Sequence, residues 1–415
     1  MLLPVKHKRA LDALNHYTDF EFRFVGGCVR DMFLGREVKD WDIVTDAPPK
    51  YLESIGMKSV GKSFPVYLFE MGGTTYEVAC CRTEKKVGTG HQAFECEVVS
   101  DFGLDAQRRD LTINTMWYGK DGLKVFDPVV MEHALHGVLE AVTDAFAEDP
   151  LRVFRVARFH AQLGDRWVLG PKVKKLMYDL RDELKTLSSD RVRIELEKAL
   201  MGVKPSLFFQ DLRDTGCLGY WFPEVAAMTG VDHSSKPPKV DWHPEGDVWN
   251  HLMLVLDKAQ SLSASLDEMY GALGHDFGKP LVPREQWPSM ARHEMLADVP
   301  VTDFCARLGL GHQVEHLMKT VAYNHTKIHT ARDLRDVTMV RTILTVKRTV
   351  MGLEGMVKVC QADAQGRAFP FCDEPYPQAQ FVLDQAAKMA AVKFDGVPNM
   401  TREKAESMYV RALKG

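Results

Sequence analysis

The sequence predicts a small α/β head, a helical middle, and a second helical domain after about residue 240. Three observations carry this reading. Between residues 21 and 130 the chain holds short β-rich runs, such as 22–25, 41–44, 66–69 and 75–80, separated by glycines and turn residues. From about 139 onward glycines thin out and apolar residues recur three and four apart, the helical period. Residues 231–239 carry two adjacent prolines among small polar residues, which stops helices on both sides and marks a linker.

Composition narrows the class. Hydrophobic residues make 45% and charged residues 27%, which is ordinary globular composition and excludes a disordered or fibrous chain. A net charge of −4 excludes a broadly basic nucleic-acid coat, so an RNA partner has to be held by a local patch. Such a patch exists in residues 152–204, where 13 lysines and arginines face 7 acids, a local excess of +6 where RNA backbone would need neutralising. No apolar run approaches ~18 residues and the first residues lack a signal-peptide core, so neither a membrane span nor secretion is expected. The eight cysteines form no CxxC pair, which argues against a zinc ribbon or thioredoxin motif and for a reduced, cytoplasmic home.

Taken in chain order, the first chemistry lies in Phe24-Val25-Gly26-Gly27-Cys28-Val29-Arg30-Asp31. A strand runs through two glycines into a helix, where bare backbone and helix-start amides admit an anion and Arg30 can grip phosphate. Next comes Asp40-Trp41-Asp42, in which the two-residue period of a strand sets both carboxylates on one face. Two carboxylates side by side repel unless a cation sits between them, and Mg²⁺ is usual where phosphates and water complete the shell. Residues 56–63 match the P-loop pattern GxxxxGK[ST], but the context is reversed. A helix opening at Pro49 precedes the motif and a strand at 64–69 follows it, so a tight helix-to-strand turn is expected instead.

The chain resembles the class II tRNA nucleotidyltransferases, or CCA-adding enzymes, of the polymerase-β-like superfamily, in the bacterial form with a C-terminal HD domain. The motifs that carry the resemblance run from about residue 22 to about 385. In order they are Gly26-Gly27-x-Val29-Arg30-Asp31, Asp40-x-Asp42, Arg82-Thr83-Glu84, Arg108-Arg109-Asp110-Leu111-Thr112-Ile113-Asn114, and Glu148-Asp149-Pro150-Leu151-Arg152-x-x-Arg155-x-x-Arg158-Phe159. Asp190-Arg191-x-x-x-Glu195, Trp242-His243-Pro244-Glu245, His275-Asp276-x-Gly278-Lys279 and Ala362-Asp363-Ala364-Gln365-Gly366-Arg367 follow.

The resemblance implies an α/β nucleotidyltransferase head over 21–138, an all-α neck and body over 139–230, and an all-α HD domain over 240–385. An N-terminal extension over 1–20 and a helical tail over 386–415 flank them. It implies addition of CCA to the 3′ end of tRNA from CTP and ATP. Asp40 and Asp42 would hold two Mg²⁺ and be catalytic, and Glu77 is a candidate third carboxylate. Gly27, Arg30 and Arg109 would bind nucleotide, and Asn114 would help position the ribose. Asp149 and Arg152 would form the protein template that imitates a base edge, with Arg155 and Arg158 as further nucleotide-binding arginines. The glycine-bearing stretch 82–91 would be either a mobile loop that switches the pocket or a long surface hairpin. In the second domain His251, His275, Asp276 and Asp363 would hold a divalent ion, a transition metal such as Ni²⁺ or else Mg²⁺, for phosphodiesterase or phosphatase work. His293 and His325 are extra candidates, and Lys279 is placed to meet phosphate. A poly(A) polymerase or a partial CC- or A-adding enzyme of the same superfamily stays open at this point, as does a monomer or homodimer.

Overall fold

The structure is a computed structural model that describes residues 3–16, 18–60, 65–86, 94–235, 241–394 and 401–414. It divides into two compact units, one of residues 1–156 and 165–187, the other of 157–164 and 188–415. The helix Leu151–Leu163 begins in the first and finishes in the second.

The first unit is built on a mixed sheet of strands from β1 (Phe22–Val25), β2 (Asp42–Thr45), β3 (Lys58–Val60), β4 (Val66–Met71) and β5 (Thr74–Cys80). A separate antiparallel hairpin, β6 (Arg82–Lys86) with β7 (Phe94–Val98), precedes the last two strands, β8 (Met116–Gly119) and β9 (Gly122–Val125). The seven-stranded order is β3-β4-β5-β2-β1-β8-β9. Only β2 and β5 run parallel within it, in the register that sets Asp42 beside Glu77. In β1 the alternation of Phe22 and Phe24, both fully buried, turns one strand face to the core.

The segment 1–20 is not a loose appendage to this sheet. His7, Ala10, Leu11 and Leu14 fall on one face of the helix Val5–Leu14 and are buried. The His7 ring stacks on Trp41 at 3.6 Å between centroids, and its Nδ1 lies 2.9 Å from the Tyr76 hydroxyl. The helix Pro49–Ser54 and strand β4 flank the P-loop-like stretch as expected, with β3 lying inside it. Its Gly61, Lys62 and Ser63 fall outside the described residues, as do 87–91 of the expected mobile loop and 236–239 of the linker.

The second unit is helical throughout its described residues. Asp247 caps the helix Val248–Ser261 by accepting the amide of Asn250, and this fixes His251 in its first turn. Ser265 and Glu268 form a reciprocal capping box that starts the helix Leu266–Gly274. Both helices pack on Gly352–Gln365, and Leu266–Gly274 also packs on His312–His329. Where that pair crosses, a Cβ on Gly271 would lie 3.1 Å from Val321 and one on Gly274 2.5 Å from the terminal methyl of Met318, so the side chains of the facing helix would have to shift to admit either.

A buried ion pair braces the start of this unit. Arg158 Nε donates to Glu195 Oε2 at 2.5 Å and Nη1 donates to Gln162 Oε1 at 2.8 Å. Both Arg158 and Glu195 are under a tenth exposed. Asp190, by contrast, is exposed and pairs with Arg193 at 2.8 Å. Glu195→Ala should therefore destabilise the chain by about 3–5 kcal/mol, because it leaves a buried guanidinium without its carboxylate. Asp190→Ala should change stability by no more than ~0.5 kcal/mol. Denaturant unfolding of the two variants checks the contrast.

Candidate functional site

In the first unit the site grows from the turn after β1. Gly26 holds φ +74° and its amide donates to Met116 O, which delivers the chain into the helix Gly27–Phe33. A Cβ at Gly26 would stand 3.3 Å from Arg109 Nη1, so the bare backbone and the guanidinium occupy one place. The register of β2 with β5 supplies the acids. Asp42 is half-buried and lies opposite Glu77, while Asp40, exposed, precedes the strand. Asp40 is thus outside regular strand, yet Trp41 is buried against His7 and Phe24 and the residues on either side turn away from that core. Burial, then the charges of Glu77 and Asp40, push the Asp42 carboxyl up to about 6, with Arg109 opposing.

The arginines around these acids are held rather than loose. Arg109 donates through Nε and Nη2 to Asp105 Oδ2, at 3.1 and 2.8 Å. Arg30, buried, donates to both oxygens of Asp31 and to Asn114 Oδ1 at 2.8 Å. Asn114 in turn donates to Asp110 Oδ1 at 2.9 Å, and Arg155 Nε donates to Asp110 Oδ2 at 2.8 Å. Asp110 is buried. Burial works against its charge, but the Arg155 guanidinium, with Asn114 and Arg152, holds its carboxyl below the usual carboxylate range. One continuous chain therefore joins Arg30, Asn114, Asp110 and Arg155. Asp149 accepts the Leu151 amide at 3.0 Å at the helix start, and Arg152, buried, donates to Ala145 O at 2.6 Å. Arg158 belongs to the second unit, in the ion pair with Glu195.

The second unit gathers His251, His275, Asp276 and Asp363, all buried. His251 Nε2 lies 3.0 Å from Asp363 Oδ1, and His275 Nε2 lies 3.1 Å from Asp276 Oδ2. Burial alone would lower the His275 pKa, but the charges of Asp276 and Asp363 outweigh it and raise the value to about 9. Lys279 Nζ sits 2.6 Å from Asp276 Oδ2 and 3.2 Å from His233 Nδ1. Of the surrounding shell, sequence reasoning singled out the Trp242-His243-Pro244-Glu245 motif without a role and missed His329 and Tyr376. Glu245 Oε1 lies 3.0 Å from Nδ1 of both His243 and His251. His329 Nε2 lies 2.7 Å from Asp363 Oδ2, with the Tyr376 hydroxyl 2.9 Å from its other nitrogen. The spacing of His325 and His329, four apart on one helix, was the available signal.

Among the described residues the second unit gathers ligating atoms of His251, His275 and Asp363 within 4.8 Å of one another, whereas Asp40, Asp42 and Glu77 do not form such a group. Oxygen alone at Asp40, Asp42 and Glu77 suits a hard cation, whereas imidazole with carboxylate suits a transition metal or Mg²⁺. The buried Nε2 of His275 and Oδ1 of Asp276 lack a hydrogen-bond partner, as expected of atoms aimed at an ion, while Asp276 Oδ2 meets the Lys279 ammonium at 2.6 Å.

Two family models match this chain, "Poly A polymerase head domain" over residues 22–136 and "Probable RNA and SrmB- binding site of polymerase A" over 169–229. The multifunctional CCA protein of Acinetobacter baumannii strain AYE is 38% identical over 383 residues, covering 90% of this chain and 91% of that protein. That of strain SDF is 37% identical over the same coverage. Among solved structures, a CCA-adding enzyme in complex with ATP aligns with TM-score 0.66 at 16% identity, over 99% of this chain and 90% of its own. The Thermotoga maritima CCA-adding enzyme complexed with tRNA CCA aligns with TM-score 0.63 at 16% identity, over 99% and 92%. The Bacillus stearothermophilus CCA-adding enzyme in complex with CTP gives 0.59 at 22% identity, over 100% and 94%. At these identities the structural likeness concerns the fold.

The raised Asp42 carboxyl has a consequence for stability. It titrates near 3.8 when unfolded and near 6 when folded, so the metal-free folded state is penalised increasingly from pH 4 and fully above pH 6. In EDTA at pH 8, Asp42→Asn should therefore be more stable than the wild type by about 3 kcal/mol. The advantage should shrink below pH 6 and vanish near pH 4, and saturating Mg²⁺ should reverse it by stabilising the wild type alone. Thermal melts across pH with and without Mg²⁺ measure this.

Proposed function

We infer the activity from kinship: the chain belongs to the family of multifunctional CCA proteins, and it adds C, C and A to the 3′ end of tRNA from CTP and ATP. The observation that carries the reading to specific residues is the parallel pairing that sets Asp42 beside Glu77, with Asp40 next to them and Arg109 within electrostatic reach. Asp40 and Asp42, with Glu77, would hold Mg²⁺, which when bound lowers the pKa of the RNA 3′-hydroxyl and screens the departing pyrophosphate. Gly27 leaves room for phosphate at the helix start, and Arg30 and Arg109 neutralise it from positions already fixed by Asp31, Asn114 and Asp105. Arg155, steadied by Asp110, completes the nucleotide-binding arginines of this unit.

Asp149 and Arg152 select the base in this reading, offering an acceptor and paired donors in place of a template strand. The basic stretch 152–204 meets the tRNA backbone. The helical unit holds a separate divalent ion, Ni²⁺ or Mg²⁺, on His251, His275, Asp276 and Asp363, and hydrolyses phosphate esters. Eight cysteines without a CxxC pair, and a tRNA substrate, support a cytoplasmic location. No helix among the described residues is long and apolar enough to cross a membrane.

Two experiments test the assignment. With a tRNA lacking its 3′ CCA and each nucleotide alone and together, the Asp40→Ala/Asp42→Ala variant should add nothing while binding tRNA within a few-fold of wild type. Removing carboxylates takes away metal ligands but no phosphate contact. Addition by that variant would refute the roles of both acids. Arg152→Ala should lose about 1.5–3 kcal/mol of discrimination for CTP and ATP over UTP and GTP, the worth of charged hydrogen bonds. A variant equally slow with all four nucleotides, and still selective, would make Arg152 a scaffold instead.

A further inference from the structure

We propose that His7, on the helix Val5–Leu14, is a positioning residue for nucleotide addition. From behind the sheet it holds the two chain segments that carry Asp40, Asp42 and Glu77. This role rests on the reading of those acids as Mg²⁺ ligands and adds to it the part that keeps them in place.

Strand geometry puts one side chain in contact with both segments. Successive residues of an extended chain point to opposite faces. The parallel register that sets Asp42 beside Glu77 therefore turns their neighbours Trp41 and Tyr76 to the other face, where both are buried with Phe24. His7 meets all three. Its ring stacks on Trp41 at 3.6 Å and 17° between planes, its Nδ1 lies 2.9 Å from the Tyr76 hydroxyl, and it meets Phe24 edge-on at 6.3 Å. Phe24 also packs against Trp41 directly, at 4.9 Å. One imidazole thus touches the residue between Asp40 and Asp42 and the residue before Glu77.

The contact matters most for Asp40. Residues 36–41 lie outside regular structure, and the pairing of β2 with β5 begins only at Asp42. Asp40 is therefore placed through the burial of its neighbour Trp41, not by a strand ladder of its own. The acids also push on one another, since the charges of Glu77 and Asp40 both act against an ionised Asp42. A segment loaded in that way relaxes outward unless its other face is held.

The brace has a fixed base. Ala10, Leu11 and Leu14 are buried on the same helix face as His7. Asn15, which ends the helix, donates to Phe22 O at 3.1 Å and accepts the Phe22 amide at 2.9 Å, so the helix is tied to β1. Burial, then the charge of Lys6, lowers the His7 pKa to about 4. The ring is thus uncharged near neutral pH and acts through stacking and one hydrogen bond, not as an acid or base.

Ion affinity separates positioning from mere packing. In the full-length protein, free Mn²⁺ is counted by electron paramagnetic resonance across a titration, and binding by the Asp40→Asn/Asp42→Asn chain is subtracted to isolate the head acids. Addition to a tRNA lacking its 3′ CCA is followed against Mg²⁺ and tRNA concentration, at a temperature where melts show each variant folded. His7→Ala should weaken the subtracted Mn²⁺ binding and raise the half-saturating Mg²⁺ by about tenfold, the usual cost of losing a residue that orients a metal ligand. Its KM for tRNA should stay at the wild-type value. His7→Phe, which keeps a ring on Trp41, should recover most of the loss. Tyr76→Phe, which removes one hydroxyl, should show a smaller loss in the same direction. Lys8→Ala, on the exposed face of the same helix, should match the wild type. A folded His7→Ala with wild-type Mn²⁺ affinity and Mg²⁺ requirement would overturn the positioning role and leave the acids' own role standing. A wild-type chain that binds no more Mn²⁺ than the Asp40→Asn/Asp42→Asn chain would overturn both. Should His7→Ala fail to fold, an unchanged Mn²⁺ affinity in Tyr76→Phe would overturn the role instead.

Discussion

Carboxylates taken out of water govern both units, and each is answered differently. Asp42 has Glu77 beside it across β2 and β5 and Asp40 two residues away, with Arg109 as its opposing cation. Asp276 is buried among imidazoles whose second nitrogens are already committed to backbone carbonyls. At Asp42 the chain accepts a cost in its folded state, because burial and like charge raise the carboxyl above its ordinary value, whereas at Asp276 the charges of His275 and Lys279 hold the carboxyl well below it. A site of the first kind is a poor structural choice and a good chemical one, because a cation bound there would remove a cost that folding leaves in place.

The arginines show the complementary strategy. Each is held by a dedicated acid or amide: Arg109 by Asp105, Arg30 by Asp31 and Asn114, Arg155 by Asp110 and Arg158 by Glu195. A guanidinium that is already in place loses little side-chain freedom when a phosphate or base arrives. The pairing also limits the charge presented. Asp110 balances Arg155 and lies within reach of Arg152, so this part of the first unit offers directed donors rather than a diffuse positive field.

What was legible in the sequence was local. Asp40 and Asp42, His275 and Asp276, and the glycine turn before Arg30 are close neighbours in the chain, and their chemistry follows from spacing alone. Glu77 gains its place beside Asp42 only through the register of two parallel strands, which no short pattern encodes. The pair His243 and Glu245, His329, and Tyr376 come from three separate segments and join the cluster only in the packed unit. The helix Val5–Leu14 was overlooked for a different reason. Its buried face is His7, Ala10, Leu11 and Leu14, where the large anchor is a histidine stacked on Trp41, and a periodicity search scores histidine as polar.

The placement of the histidine cluster depends finally on side chains that are absent. Gly271 and Gly274 let the helix that ends at His275 lie against the one that carries His325 and His329, where a Cβ would meet Val321 and Met318. Gly278 is more demanding: a Cβ there would fall 2.0 Å from the carbonyl oxygen of His293. That contact is with backbone, which cannot swing aside as a side chain would. Gly278 thus fixes the distance between the turn bearing Asp276 and the one bearing His293, and His293 reaches Asp276 Oδ1 only at that distance. The His-Asp-x-Gly pattern is therefore one mechanical statement. Two residues supply polar atoms to the buried cluster, and the third, by having no side chain, lets His293 come within range of Asp276.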